Sequence, residues 1–194
     1  MKILNIYILT GLFLFSTLIA VSQEKNILNK ESFGFNIGLP VVSESLSEDV
    51  YYNPILIMGY YNIPLMQTNT KHNFSVGIEP QINPVFLDNN LNDLEFGCNV
   101  GLYYLHLIGQ KSIWYAGIGS GPHFITVNAA MQATGFIFSD NFMTGTRIFL
   151  TGKNEKPLYL NLQFRFRHIS NANLSEPNIG IDGFFAVFGI VKEI

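Results

Sequence analysis

The stretch with the most chemical capacity is 165–183, which reads RFRHISNANLSEPNIGIDG. It contains a histidine, His168, a serine two residues later, Ser170, and a carboxylate, Asp182, at the start of the next apolar run. An imidazole, a hydroxyl and a carboxylate are groups that can take part in acid–base and nucleophilic chemistry. The stretch is predicted to be a strand end, a loop and a strand start, so the three side chains can meet across a hairpin.

The elements that position these residues belong to a chain with an unusual composition. Hydrophobic residues make up 48% of its 194 residues and aromatic residues 14%, while charged residues make up 13%, well below the roughly 25% of soluble domains. The net charge of −3 gives no basic patch, so nucleic acid is not expected as a partner. The single cysteine, Cys98, excludes an internal disulfide and is predicted to be a packed apolar residue. No Cys/His cluster has metal spacing, and the sequence predicts neither metal nor cofactor.

The N-terminus resembles a secretory signal. Met1-Lys2 precedes an apolar run over 3–21, and the small residues Ala20 and Ser22 stand near its end. This pattern predicts a signal peptide over 1–22, with a single domain over 23–194. An uncleaved membrane helix is the alternative, since the run is nearly long enough to span a bilayer.

Beyond residue 30 the chain consists of short alternating runs bounded by Asn, Asp, Pro or Gly, which is the pattern of β-strands. Glycines recur inside these runs, as in small, strongly curved barrels. Asp140-Asn141 lies between two apolar runs and is predicted to mark a bulge or turn. Eight strands are predicted, over 31–40, 51–65, 71–86, 94–108, 112–124, 134–150, 157–170 and 181–192.

The seventh predicted strand has one apolar and one polar face. One face carries Leu and Phe from 158 to 166, and the other carries Tyr, Asn, Gln and two Arg from 159 to 167. A soluble, lipocalin-like barrel would turn the apolar face inward, whereas a membrane barrel turns it toward lipid. The signal sequence, strands long enough for a tilted bilayer crossing and abundant Phe and Tyr favour the membrane. The predicted fold is an all-β, eight-stranded antiparallel transmembrane β-barrel in the outer membrane of a Gram-negative bacterium.

The alternation also predicts the location of the chemistry. His168 and Ser170 continue the apolar face of the seventh strand, and Asp182 begins the apolar face of the eighth. With both chain ends in the periplasm, the loop 171–180 lies outside the cell. The polar groups then stand on the lipid side of the wall at outer-leaflet depth, which indicates a lipid substrate that arrives laterally.

Two segments, HISNA at 168–172 and PNIGID at 177–182, resemble the signature of PagL-type outer-membrane lipid A deacylases. The resemblance covers about 19 residues without gaps. It implies an eight-stranded barrel with a Ser-His-acid triad on its outer surface, which removes an ester-linked acyl chain from lipid A without a metal. By resemblance His168 is the general base, Ser170 the nucleophile and Asp182 the orienting acid. The family usually has Glu at this last position, and Glu176 is an alternative acid.

Three loop asparagines complete the site that the resemblance implies. The Asn178 side chain and a backbone N–H near Asn173 would stabilise the oxyanion, and Asn171 is a further substrate-binding candidate. The family usually has Gly where Asn173 stands, and Asn tolerates left-handed backbone geometry better than most residues.

Several alternatives stay open. The partner is lipid A, lipopolysaccharide or another outer-leaflet lipid within the membrane, and a homodimer is left open. The alternative function is a non-catalytic, OmpA-like barrel that acts as an adhesin or structural protein. Arg165 and Arg167 are predicted to point inward and to pair with interior acids such as Glu79 or Glu95. The remaining histidines are scattered with no partner spacing and are interpreted as structural: His72, His106 and His123.

Overall fold

The structure is a computed structural model that describes residues 28–43, 45–47, 50–69, 71–87, 90–127, 132–151, 156–178 and 180–194. The predicted signal peptide over 1–22 lies outside these residues. Among the described residues, no helix has the length and apolar character that a bilayer crossing requires.

The described part of the chain folds almost entirely as strands, because its alternating runs suit pleated backbone. Twelve strand segments are present: β1 (Ser32–Ser43), β2 (Ser45–Ser47), β3 (Val50–Tyr51), β4 (Asn53–Pro54), β5 (Leu56–Asn69), β6 (His72–Leu87), β7 (Asn90–Ile108), β8 (Ser112–Ser120), β9 (Pro122–Ile125), β10 (Gly135–Thr151), β11 (Leu158–Ser170) and β12 (Ile181–Glu193).

The long segments form a closed antiparallel barrel. β1 pairs with β5, and pairing continues through β6, β7, β8 with β9, β10, β11 and β12. β12 returns to β1 with Phe35 opposite Ile190, which closes the ring. Counting β8 and β9 as one strand, the ring has eight strands, as the sequence predicted.

Three details of the strand prediction were wrong. The predicted strand over 51–65 is divided among β3, β4 and β5, with interruptions at Tyr52 and Ile55. The predicted strand over 112–124 is interrupted at Gly121, between β8 and β9. The predicted bulge or turn at Asp140-Asn141 is absent, because β10 runs unbroken through both residues. There Asp140 pairs with His168 and Asn141 with Arg167. Strand partners on either side of β10 override the turn preference of the Asp-Asn pair.

The alternation of β11 shows which side of the wall is apolar. Phe164 is 49% exposed, whereas the neighbouring Arg165 is fully buried. The same holds around the ring, where Phe35, Phe142 and Phe188 are about half exposed. Because the outer face is apolar, while the buried arginines and glutamates lie inside beside smaller apolar clusters, the barrel is of the membrane type, and the soluble alternative is wrong.

Two buried ion pairs organise the interior, as predicted for both arginines. Arg165 Nη2 donates to Glu79 Oε2 at 2.8 Å, and the Tyr103 hydroxyl donates to the same carboxylate. Arg167 pairs with Glu95, which also accepts hydrogen bonds from other interior groups. His123 is one of these neighbours, at 2.6 Å from Glu95, which is consistent with its interpretation as structural. Such pairing satisfies charges that would otherwise be costly to bury.

Side chains fill much of the lumen. Arg165, Tyr103 and Tyr115 are among the largest fully buried side chains in the described residues. Two interior pockets, one beside Tyr103 and one beside Tyr52, each hold about 10 Å³. A space of that size takes about one water molecule.

The two ends of the barrel differ in their connections. Both ends of the barrel chain lie at one end, where Ile194 N–H donates to the Glu31 carbonyl at 3.0 Å. The strand connections there cover 70–71, 109–111 and 152–157, whereas those at the opposite end include the longer segments 126–134 and 171–180. In outer-membrane barrels short turns are periplasmic, so the opposite end, which carries the loop 171–180, is the extracellular one.

One histidine interpretation needs correction. His72 and His106 were considered to have no partner spacing, but they face each other across β6 and β7. Their Nδ1 atoms lie 3.2 Å apart, and His72 Nδ1 lies 2.5 Å from the Tyr104 hydroxyl. Strand register brings together residues that are 34 positions apart. Cys98, predicted to be packed, is half-buried.

Candidate active site

His168 and Asp182 are direct cross-strand neighbours on β11 and β12. His168 Nδ1–H donates to Asp182 Oδ1 at 2.7 Å. The His168 side chain is 37% exposed and that of Asp182 is 53% exposed, because both belong to the outward-facing series of their strands. A carboxylate on Nδ1 fixes the imidazole tautomer so that Nε2 can accept a proton.

Ser170 ends β11, two residues after His168 and on the same face. It is half-buried, and its register partner on β10 is Phe138. Within the described residues, Ser170 and His168 share no hydrogen bond. Catalytic hydrogen bonds are often long before substrate binds and shorten in the complex. Ser170 and His168 therefore lie on one face, and Asp182 is in contact with His168.

Gly180 packs closely against the His168 imidazole. Its φ of +77° lies in the left-handed region, which favours glycine. A Cβ built on Gly180 would stand 2.6 Å from His168 Cε1, so a side chain there would overlap the ring. The sequence showed Gly180 only as part of the signature, since its contact with His168 depends on the path of the loop.

The predicted asparagines form a connected set in the loop. The Asn171 backbone N–H donates to Asn178 Oδ1 at 2.9 Å, and Asn178 Nδ2 donates to Asn173 Oδ1 at 3.0 Å. Asn171 is buried, and its amide donates to the Ser175 carbonyl and hydroxyl. These bonds hold the Asn178 amide against the residue that follows Ser170. Asn178 Nδ2 has a second hydrogen, for which the described residues supply no acceptor.

Backbone geometry explains the loop's shape. Ala172 and Asn173 have φ of 52° and 60°, and Leu174 N–H returns to the Asn171 carbonyl at 3.0 Å. Asn173 therefore occupies the left-handed conformation that the family's glycine would adopt, as Asn can.

The preceding loop at the same end supports this one. Ala133 N–H donates to the Pro177 carbonyl at 2.9 Å, and Gln132 forms a β-bridge with Asn178. Gln132 is fully buried. Sequence reasoning missed this support, because no local pattern links residues so far apart in the chain.

Glu176, the alternative acid, is exposed and has no hydrogen bond or ion pair among the described residues. Asp182 accepts the hydrogen bond from His168 Nδ1 that the acid of a triad would accept. The shorter side chain reaches the ring because the two residues are directly paired in register.

A second carboxylate lies on the other side of His168. Asp140 is the register partner of His168 on β10, and it accepts a hydrogen bond from the Ser120 hydroxyl at 2.5 Å. Ser120, Asp140, His168 and Asp182 thus form a polar row across the outer wall, here called the exterior polar row. Asp140 was predicted from the sequence to mark a bulge or turn, and its position in this row was not predicted.

An apolar groove begins at the exterior polar row and runs along the outer wall. It consists of two pockets of about 560 and 540 Å³ that share Leu102, Ile118 and Phe142. The upper pocket reaches Ser120 and Asp140. The small side chain of Ala116 lies on the outward face of β8 and lines the lower pocket, whereas a Cβ on Gly101 or Gly117 would meet the interior side chain of Tyr103.

No group of three or more His, Cys, Asp or Glu within the described ranges is arranged to hold a metal ion.

Fold and site together define an outer-membrane β-barrel with a candidate hydrolase site on its lipid-facing wall. The profile of the family described as lipid A 3-O-deacylase (PagL) matches residues 33–190, and the chain belongs to this family. The crystal structure of the outer membrane enzyme PagL matches with a TM-score of 0.56 and 11% identity, covering 81% of this chain and 97% of that chain. At that identity the likeness shows the fold. No curated protein matches the sequence. The predicted family, fold and outer-membrane localisation are confirmed.

Proposed function

We propose that this protein is an outer-membrane serine esterase that removes an ester-linked acyl chain from lipid A. The observation that carries the proposal is the His168–Asp182 hydrogen bond on the lipid-facing wall, with Ser170 on the same face. Membership of the PagL family supports lipid A as the substrate. Residues 1–22 are proposed to be the signal peptide that directs export.

The first step is attack by Ser170 Oγ on the ester carbonyl carbon. A serine hydroxyl is a weak nucleophile, so His168 Nε2 takes its proton as the C–O bond forms. Asp182 stabilises the resulting imidazolium through Nδ1. The imidazolium then gives the proton to the leaving sugar alcohol, which leaves the acyl chain on Ser170.

The carbonyl oxygen becomes an oxyanion in this step and needs donors nearby. Asn178 Nδ2 has a hydrogen that no described residue accepts, and its amide is held beside Asn171. A single preorganised donor of this kind contributes about 3–4 kcal/mol to the transition state. Water, activated by His168, then hydrolyses the acyl-enzyme and restores Ser170.

The position of the site on the wall supports a membrane-dissolved substrate. The apolar groove beside the exterior polar row accommodates hydrocarbon, because its lining is predominantly Leu, Ile, Phe and small residues. The acyl chains of a membrane lipid already lie in hydrocarbon, so such a lipid reaches this surface by lateral diffusion and gains packing contacts there rather than hydrophobic free energy.

The experiment is mass spectrometry of lipid A from cells that express the wild type, Ser170→Ala or His168→Ala. Wild type should remove one ester-linked chain, and both variants should leave lipid A as it is in cells without the protein. Glu176→Gln is the matched control in the same loop and should behave as wild type.

The same experiment also distinguishes this proposal from the non-catalytic alternative. An OmpA-like structural barrel would give the same lipid A in every strain, including cells that lack the protein. Normal outer-membrane levels of each variant, checked by heat-dependent migration on gels, exclude misfolding as the cause of a lost activity.

A further inference from the structure

The positive charges on the outside of the barrel lie at one end. The chain has no Lys or Arg in 41–56, 82–96, 120–140 or 168–183, the four segments that include the extracellular strand ends and their connections. The lysines of the described barrel lie at the periplasmic end instead: Lys30, Lys71, Lys111, Lys156 and Lys192. The three arginines are buried in the lumen: Arg147, Arg165 and Arg167.

The extracellular end carries several carboxylates. Asp93 accepts a hydrogen bond from the Thr126 hydroxyl at 2.8 Å, and Asp140 accepts one from Ser120. Glu176 is exposed in the loop, and Asp182 is bonded to His168. Neither Asp93, Asp140 nor Glu176 pairs with a Lys or Arg in the described part of the chain. Their negative charge is therefore uncompensated by protein cations.

The carboxylate of Asp140 places negative charge beside His168. It is the register partner of His168, and side chains so paired have Cβ atoms about 5 Å apart. A glycolipid whose ester reaches Ser170 places its sugar beside these carboxylates. Because this happens at the edge of a low-dielectric membrane, a phosphate on that sugar is repelled more strongly than it would be in bulk water. Proteins that bind phosphate normally supply Arg or Lys.

We infer that the substrate is a lipid A-type glycolipid whose sugar carries no uncompensated phosphate next to the cleaved ester. The inference rests on the proposed function and narrows its substrate class. The phosphate is either missing or capped by a cationic group. Asp140 is the specificity-determining residue, because its charge disfavours substrates with a free phosphate while the chemistry of Ser170 and His168 is the same for both.

The test compares two substrates that differ only in phosphate. Purified protein in neutral detergent micelles, at low salt and with a chelator, is given diphosphorylated lipid A or the same lipid A after removal of its phosphates. We expect kcat/KM to be at least about tenfold higher for the dephosphorylated lipid, a difference of about 1.4 kcal/mol. Added salt should reduce this ratio, because it screens exposed charges.

The variant Asp140→Asn should lower the ratio at least threefold. The ratio is the readout because a general effect of the substitution on His168 would change both rates together. The matched control Glu31→Gln removes the same charge at the periplasmic end, where Glu31 accepts a hydrogen bond from Tyr61, and should leave the ratio unchanged.

Three outcomes would overturn the inference. If both lipids are cleaved at equal rates, or the phosphorylated one faster, the carboxylates do not select the headgroup, although the esterase proposal stands. If Mg²⁺ makes the phosphorylated lipid the better substrate, the carboxylates hold a bridging cation instead. If neither lipid is cleaved and Ser170→Ala matches the wild type, the proposed function fails and the inference with it.

Discussion

The variant Gly180→Ala provides a stringent test of the site geometry, because it adds a methyl group beside the His168 ring and removes no functional group. A Cβ at this position would stand 2.6 Å from His168 Cε1, whereas carbon atoms prefer about 3.5–4.0 Å. The ring must therefore move by about 1 Å. A shift of that size stretches the 2.7 Å bond between His168 and Asp182 beyond hydrogen-bond range.

The expected loss is mainly catalytic. A 1 Å misplacement of a catalytic group costs about 10²-fold in rate, so kcat should fall by about that factor. The φ of +77° at Gly180 adds a folding cost of about 1–2 kcal/mol for an L-residue. The assay is fatty acid release from lipid A in mixed micelles, alongside urea unfolding of the refolded barrel.

The chain offers a matched control for the backbone strain. Gly109, in the periplasmic turn between β7 and β8, has a φ of +62° and no atom within 4 Å of a built Cβ. Gly109→Ala should therefore lose similar stability and no activity. If Gly180→Ala is as active as Gly109→Ala, the imidazole does not depend on Gly180 and the site geometry is wrong.

The remaining predictions concern the acid, the oxyanion donor and the interior. Asp182→Asn removes the charge that stabilises the imidazolium, so kcat should fall by about 10³–10⁴-fold, whereas Glu176→Gln should change it less than about twofold; fatty acid release measures both, and equal losses would contradict the choice of acid. Asn178→Ala should lower kcat by about 10²–10³-fold with little change in KM, and unchanged single-turnover rates would exclude it as a donor. Arg165→Met leaves Glu79 buried without its ion pair, so urea titration should show a loss of about 3–5 kcal/mol. Adding Glu79→Gln should recover much of this loss, and no recovery would contradict the pairing.

The strands were predictable because alternation and turn residues are local signals. The predicted strand over 157–170 corresponds to β11 at Leu158–Ser170, and that over 181–192 to β12 at Ile181–Glu193. Their apolar series also predicted the outward placement of His168 and Asp182, since side chains two residues apart share a face.

The features that could not be predicted from the sequence depend on pairing between strands that are distant along the chain. Asp140 looked like a turn residue, and only its register with His168 shows that it lies in the exterior polar row. The interruption at Gly121 and the bridge from Gln132 to Asn178 likewise arise from neighbours far along the chain. Gly180 was identified as part of the signature at 177–182, but its contact with the His168 imidazole depends on the three-dimensional path of the loop.

The filled lumen has a consequence for the cell as well as for the fold. Glu79, Arg165 and Tyr103 occupy space that a porin leaves to water. A protein that modifies the surface lipid layer must be present in that layer. Each copy with an open channel would increase the permeability of the outer membrane to antibiotics and bile acids. Because the chemistry lies on the outside and the inside is occupied, many copies can work without weakening the permeability barrier that they modify.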